Sequence, residues 1–245
     1  MGTSLEDMVK VMVTSDYHIP FMDKKAYKSM IDYTRKYKPE VFVINGDFLD
    51  MYSISTFDKN PERKGSVSKE IKEGRKILSE IRETVGKDCK IYFLEGNHEN
   101  RLQRYLWRNP ELEDLEEIKL DYLLHAKEQD IKYIKVTREY WRQDSGHLKL
   151  GNMIIMHGDN RLNGASTSKY SGYSVKNTMM NLQTNVIMGH IHRLALVYHT
   201  TPYGKLIGIE AGCLSKVPGT ANWQQGFITF DLVNNKSKNE QLHII

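Results

Sequence analysis

Cysteine is almost missing from this chain, with only Cys89 and Cys213 among 245 residues. Two thiols build no disulfide framework, so an apolar core must hold the fold, and both are expected to be reduced and buried. Linker composition is missing too. With six prolines, no repeat and no low-complexity tract, residues 1–245 are expected to form one domain long enough for a substantial core. No apolar run approaches the roughly 20 residues that span a bilayer, which argues against an integral membrane protein. The opening Met-Gly-Thr-Ser-Leu-Glu-Asp lacks the basic and then apolar sections of a secretory signal, so the expected setting is cytoplasmic. A large excess of charge of either sign is also missing. A net charge of +4 permits an anionic substrate without the dense basic stripe usual in nucleic-acid proteins.

What the chain has instead is one arrangement repeated. The apolar stretch Ile91–Leu94 runs into Glu95-Gly96-Asn97-His98-Glu99-Asn100-Arg101. A buried strand fixes the position, the glycine lets the backbone turn tightly, and the loop presents an amide oxygen and an imidazole to a shared cavity. The same happens where Met8–Thr14 runs into Ser15-Asp16-Tyr17-His18 and where Val41–Asn45 runs into Gly46-Asp47-Phe48-Leu49-Asp50. It recurs where Asn152–Met156 ends in His157-Gly158-Asp159 and where Asn185–Met188 ends in Gly189-His190-Ile191-His192. Any one of these has a bland account, because Asp, Asn and Gly favour turns. Five in one chain, each behind an apolar strand, point to a constructed site.

Between these strands the apolar spacing predicts helices. Lys24–Tyr37 carries Tyr27, Met30, Ile31 and Thr34 on one face, and Ile71, Gly74, Leu78, Ile81 and Val85 mark another, with Gly86 as its cap. Asn100–Trp107 and Glu111–Ala126 read as two more, and a further helix runs through Val175, Met179 and Leu182. Ile131–Val136, Gly146–Leu150 and Asn152–Met156 are expected to begin a second sheet. Leu194–Thr200, Lys205–Ala211 and Gly226–Val233 are expected to close it, with Asn239–Ile245 as one more strand. Met51–Lys64 lacks periodicity and reads as a long loop over the site, of the kind that tends to be functional.

Carboxylate, imidazole and amide donors without a thiolate cluster suit borderline divalent metals such as manganese, iron or zinc. The donors exceed what one ion needs. A carboxylate can bridge two ions, and two ions about 3.5–4 Å apart clamp an in-line displacement at phosphorus.

Asp16-x-His18, Gly46-Asp47, Gly96-Asn97-His98-Glu99, His157 and Gly189-His190-x-His192, in this order, resemble the signature of the calcineurin-like metallophosphoesterase superfamily. The resemblance spans about residues 9 to 193. It implies an α/β fold, a four-layer αββα sandwich of two mixed β-sheets flanked by helices, in the compact single-domain form common in bacteria and phages. It also implies two divalent ions, with manganese expected and iron or zinc as alternatives. Asp16, His18 and His192 would hold the first ion, Asp47 would bridge, and Asn97, His157 and His190 would hold the second. A hydroxide between the ions is the implied nucleophile. His98 is implied as the acid that protonates the leaving oxygen, and Asp50 as the residue that orients it. One departure stands out: Met51-Tyr52 follows Asp50 where the protein-phosphatase branch has Arg-Gly, so a phosphate-clamping arginine is missing there. Arg101, Arg104 and Arg161 are candidates to replace it.

Three functions compete on these residues. The first is a phosphodiesterase acting on nucleic acid, single-stranded or flexible DNA above all. The second is a phosphomonoesterase for a nucleotide or phosphoprotein, and the third is a scaffold that has lost catalysis. The complete ligand and acid set argues against the scaffold. Cations interleaved with aromatics at Tyr52, Phe57, Lys59, Arg63 and Lys64, and again at Arg101, Arg104, Tyr105, Trp107 and Arg108, suit a groove that tracks a backbone and stacks bases. The missing Arg-Gly also favours the diester, since a terminal dianion gains more from such a clamp than a monoanion does. Tyr52, Arg101 and Arg161 are the candidate substrate contacts. Trp223 is expected either to touch substrate or to cover the core.

Overall fold

A computed structural model describes residues 8–60, 62–63, 65–137, 145–159, 165–219 and 221–245. Its first sheet contains β1 (Met8–Thr14), β2 (Val41–Asn45), β3 (Lys90–Leu94), β4 (Ile131–Ile134), β10 (Gly226–Val233) and β11 (Lys236–Ile244), in the order β11-β10-β1-β2-β3-β4. β1 to β4 run parallel, β10 pairs antiparallel with β1, and β11 pairs antiparallel with β10. The second sheet has the order β5-β6-β7-β9-β8, from β5 (His147–Leu150), β6 (Met153–Met156), β7 (Asn185–Met188), β8 (Leu194–Thr201) and β9 (Gly204–Ala211). Here β6, β7 and β9 are parallel, and β5 and β8 are antiparallel edges.

Side-chain alternation along the strands builds the layers. Val11, Val13, Val41 and Val43 point between the sheets, where they meet Ile155, Ile187 and Ile209 of the second sheet. Met12, Phe42 and Ile44, one residue out of phase, face away from that layer and pack with Met30 and Ile31 of α1 (Lys24–Tyr37) and Leu78 and Ile81 of α2 (Val67–Val85). On the other side Val186 and Met188 pack against Val175 and Met179 of α5 (Tyr173–Leu182). The result is helix, sheet, sheet, helix, and both faces of the central strands are covered. That is why they read as unbroken apolar runs. Asp23 caps α1 by accepting from the Lys25 and Ala26 N–H groups, and Gly86 ends α2 at φ 81°. Among the described residues no helix is long and apolar enough to cross a membrane.

Three expectations change. β4 is the edge of the first sheet, not the start of the second. β10 and β11 also belong to the first sheet. β10 has five consecutive buried residues, Gly226–Phe230, because it lies between β1 and β11 with both faces covered. Finally, Glu111–Ala126 is not one helix. It contains 3-10 turns at Pro110–Leu112 and Glu116–Ile118 and the short α4 (Leu120–Leu123). Glu111, Glu113, Asp114, Glu116 and Glu117 repel one another at helical spacing, and Leu115, 44% exposed, supplies no packing to offset that. The preceding helix, α3 (Asn100–Arg108), forms as expected.

Parallel strands align their C-terminal ends. β1, β2 and β3 deliver their loops to one rim of the first sheet, and β6 and β7 deliver theirs to the second. The Asn45 amide, donating to the Met156 carbonyl at 2.9 Å, ties the two rims together. Loops at the carboxyl ends of such strands are where α/β sheets place ligands.

Candidate metal centre

Asp16, His18, Asp47 and His192 converge there, each with a donor atom within 4.8 Å of the others. Asp47, His157 and His190 do the same, so Asp47 belongs to both clusters. Asn97 joins the second, with its Oδ1 3.1 Å from His157 Nε2. All seven expected ligands are therefore in one place, four contributed by loops of the first sheet and three by loops of the second. His192 Nε2 lies 3.0 Å from both His18 Nε2 and Asp16 Oδ1, and His157 Nε2 lies 3.2 Å from Asp47 Oδ2.

The polar atoms divide between protein and centre. Asp16 Oδ2 accepts from the Ser15 hydroxyl at 2.5 Å and from the His190 N–H at 3.0 Å, whereas Oδ1 is buried with no hydrogen-bond partner. Asp47 Oδ1 accepts from the His98 N–H at 3.0 Å, which leaves Oδ2 facing the imidazoles. His157 Nδ1 donates to the Asn45 carbonyl at 2.9 Å, so Nε2 is the nitrogen that faces Asn97 Oδ1 and Asp47 Oδ2. Three electron-pair donors meeting without a shared proton source form a cation site. The buried, unpartnered His190 Nδ1 adds to the second cluster. These residues fit two divalent ions.

Electrostatics lead to the same conclusion. Burial opposes charge on Asp47, but the adjacent His157 and His98 outweigh it and hold the carboxyl well below the usual range. Burial also opposes charge on His157, yet Asp47 beside it lifts that imidazole to about 10. The proton occupies the place a cation would take. Burial keeps His18 and His190 below the ordinary histidine value, in the neutral form a metal requires.

The backbone is bent to make this possible. Asp16, His18, Asp47, His190 and His192 all have φ between 50° and 69°, a left-handed conformation that costs side-chain-bearing residues of order 1–3 kcal/mol each. Two glycines permit the crossing of the loops. A Cβ on Gly96 would lie 2.2 Å from the Asp47 nitrogen, and one on Gly46, at φ 80°, would lie 2.6 Å from His157 Nδ1.

His98 stands beside the clusters, with Nε2 3.7 Å from Asp47 Oδ2. Its Nδ1 donates to Asp50, but to the main-chain carbonyl at 2.8 Å. The Asp50 carboxylate is 3.5 Å from that nitrogen and instead receives Arg63 Nη2 at 2.5 Å. The orientation expected of the Asp50 side chain is thus supplied mainly by its backbone. Burial opposes charge on His98, but Asp47 and the hydrogen bond to Asp50 keep its pKa above the ordinary value.

Glu99 was given no role by the sequence, although it directly follows His98. Fully buried, it accepts from the N–H groups of Asp47 at 2.9 Å, Gly96 at 2.8 Å and Leu49 at 2.8 Å, stapling two ligand loops together. Arg63 is the other addition. It lines a cleft of about 670 Å³ over the clusters, together with Phe21, Lys216, Val217, Pro218 and Trp223. Its guanidinium lies 4.0 Å from the Tyr52 ring centroid and 4.5 Å from that of Phe21. Tyr52 is therefore a support beneath Arg63 and not a wall of the cleft. Trp223 packs against His192 at 4.0 Å between centroids. Arg101 donates to the Asp50 carbonyl at 2.6 Å, and its Nη2 lies 3.1 Å from His98 Nε2. Arg161 and Lys64 lie outside the described residues.

The chain is similar to known proteins. Calcineurin-like phosphoesterases match residues 9–194. The Gene 54 proteins of Mycobacterium phages L5 and D29 are 29% and 28% identical, and each match covers 96% of this chain and 94% of the relative. A solved structure of a metallophosphoesterase from Sphaerobacter thermophilus is 14% identical, with a TM-score of 0.49, covering 96% of this chain and 88% of that one. The family match begins at β1 and ends just past His192, so it contains every loop that reaches the two clusters, and the chain belongs to the calcineurin-like phosphoesterase family.

Proposed function

We propose that this protein is a phosphodiesterase acting on nucleic acid. Asp16, His18 and His192 would hold one divalent ion, Asn97, His157 and His190 would hold a second, and Asp47 would serve both. Manganese is the expected metal. Such ions supply Lewis acidity and bring the pKa of bound water toward about 7. The protein's own part is orientation and proton transfer. With Nδ1 fixed on the Asp50 carbonyl, His98 turns Nε2 toward the cleft, where it can give a proton to the leaving oxygen.

The observation that carries the diester reading is the wall of the cleft. Its Arg63 already neutralises Asp50, and Phe21, Val217, Pro218 and Trp223 make much of the remaining surface apolar. A monoanionic phosphate with flat groups attached suits that wall better than a terminal dianion does. Lys216, on the same wall, favours the alternative, a phosphomonoesterase.

Hydrolysis of bis- and mono-p-nitrophenyl phosphate, followed by digestion of circular single-stranded DNA in manganese, separates the two. Preference for the bis ester and cleavage of the circle are expected. A large preference for the monoester with no DNA cleavage would replace the diester reading.

A further inference from the structure

Next to the metal centre lies a second pocket of about 110 Å³, which shares Asn97 with it. Asn97 and Phe57 line it together with Arg101, Arg104 and Arg108 of α3. The arginines follow at i, i+3 and i+7 and share one helical face. Arg104 and Arg108 are exposed, and neither has an ion pair or hydrogen bond among the described residues. By contrast, the guanidiniums of Arg75, Arg82 and Arg193 bond to backbone carbonyls. Three like charges on one face, with no acid in Asn100–Arg108, disfavour the helix slightly. The helix dipole accounts for Arg108 in the last turn but not for Arg104. Phe57 is 72% exposed, which no packing requirement explains.

We propose that this pocket is a second phosphate subsite. It takes a phosphodiester of a single-stranded nucleic acid neighbouring the one at the metal centre, and Phe57 stacks an unpaired base. The inference rests on the diester reading above and extends it from any diester to a polymeric strand. Arg101 to Arg108 covers about 10 Å of helix axis, room for only a short run of phosphates. Beyond Arg108 the chain turns acidic, with Glu111, Glu113, Asp114, Glu116 and Glu117, so the basic track ends there. The footprint is therefore short, on the order of two phosphates past the centre.

The test uses manganese-loaded protein and the R104A/R108A variant, checked for unchanged melting temperature and metal content. Binding of fluorescent phosphorothioate-linked dT10 and rU10 is followed by anisotropy across a salt series. The variant is expected to bind about tenfold more weakly, with a log–log salt slope shallower by about 1.4, since each phosphate contact on a single strand contributes about 0.7. R104K/R108K should restore most of the slope. For unmodified dT10, the variant's kcat/KM relative to that for bis-p-nitrophenyl phosphate should fall by at least about tenfold through KM. Stronger binding of either strand by the native protein identifies the sugar and supports the subsite. A variant with native affinity and slope, or one equally impaired on both substrates, overturns it. A native protein that hydrolyses the bis ester but binds neither oligonucleotide also overturns it while leaving the diester reading intact. A native protein that hydrolyses only the mono ester ends the diester reading instead.

Discussion

The floor and the rim of this site are built on opposite principles. On the floor Asp16, Asp47 and His157 each fix one donor or acceptor on the protein and turn the other to the centre. Five floor residues hold a left-handed backbone. On the rim, Arg104 and Arg108 have no ion pair or hydrogen bond among the described residues, and Arg63 is held by one carboxylate and two rings. A metal site tolerates little error in ligand position, so its geometry is prepaid in buried hydrogen bonds and backbone strain. Substrate choice needs only charge and flat surface near the mouth, which exposed side chains provide without such commitments.

If that contrast holds, damage should fall steeply from floor to rim. Asp47→Asn should be worst, because both clusters lose their shared charge. Activity should drop by more than the roughly 10–100-fold that loss of an outer partner costs, and metal analysis should show clearly fewer than two ions per chain. Full activity with both ions retained would break the shared-ligand assignment.

His98→Ala comes next, slowing turnover by roughly 10²–10⁴-fold with metal content unchanged. The loss should grow as the leaving group becomes more basic. Asp50→Asn should cost much less, because the carbonyl that holds His98 Nδ1 remains. An emptied metal site in His98→Ala would show that His98 belongs to the floor.

Glu99→Gln sharpens the comparison by touching the floor without touching a ligand. An amide cannot accept all three N–H groups that the carboxylate does, so the Asp47 and Gly96 loops should separate slightly. A fall of roughly 10–100-fold in metal affinity, read by titration into metal-free protein, is expected. Unchanged affinity would remove Glu99 from the centre's support.

The smallest effect is expected at the rim. Arg63→Ala should raise KM for a diester by about 3–10-fold and leave kcat and metal content unchanged, as fits loss of one charged contact. A collapse of kcat would mean that Arg63 acts through Asp50 on His98.

The floor was legible in the sequence because each ligand follows a strand that must be buried on both faces. Apolar runs, turn glycines and residue chemistry there all report the same thing. Glu99 was passed over because its carboxylate answers backbone N–H groups from the Asp47 loop, about fifty positions upstream, and such bonds leave no pattern in the chain. Arg63 and Tyr52 appeared only as members of an interleaved loop, and their division into cleft lining and support depends on where that loop folds back. The first sheet was underestimated for a similar reason: strand identity is local, but the choice of neighbour for β4, β10 and β11 is not.

The sequence by itself determined the strands, the turns that end them and the metal-competent residues those turns carry, since periodicity and side-chain chemistry are local properties. Only the tertiary structure decided which nitrogen or oxygen of each ligand is free. It also made the Asp50 carbonyl, rather than its carboxylate, the main hold on His98, and set three arginines of α3 beside the centre. Those outcomes follow from long-range hydrogen bonds and from the packing of two sheets against each other, which bring together residues that the chain keeps far apart.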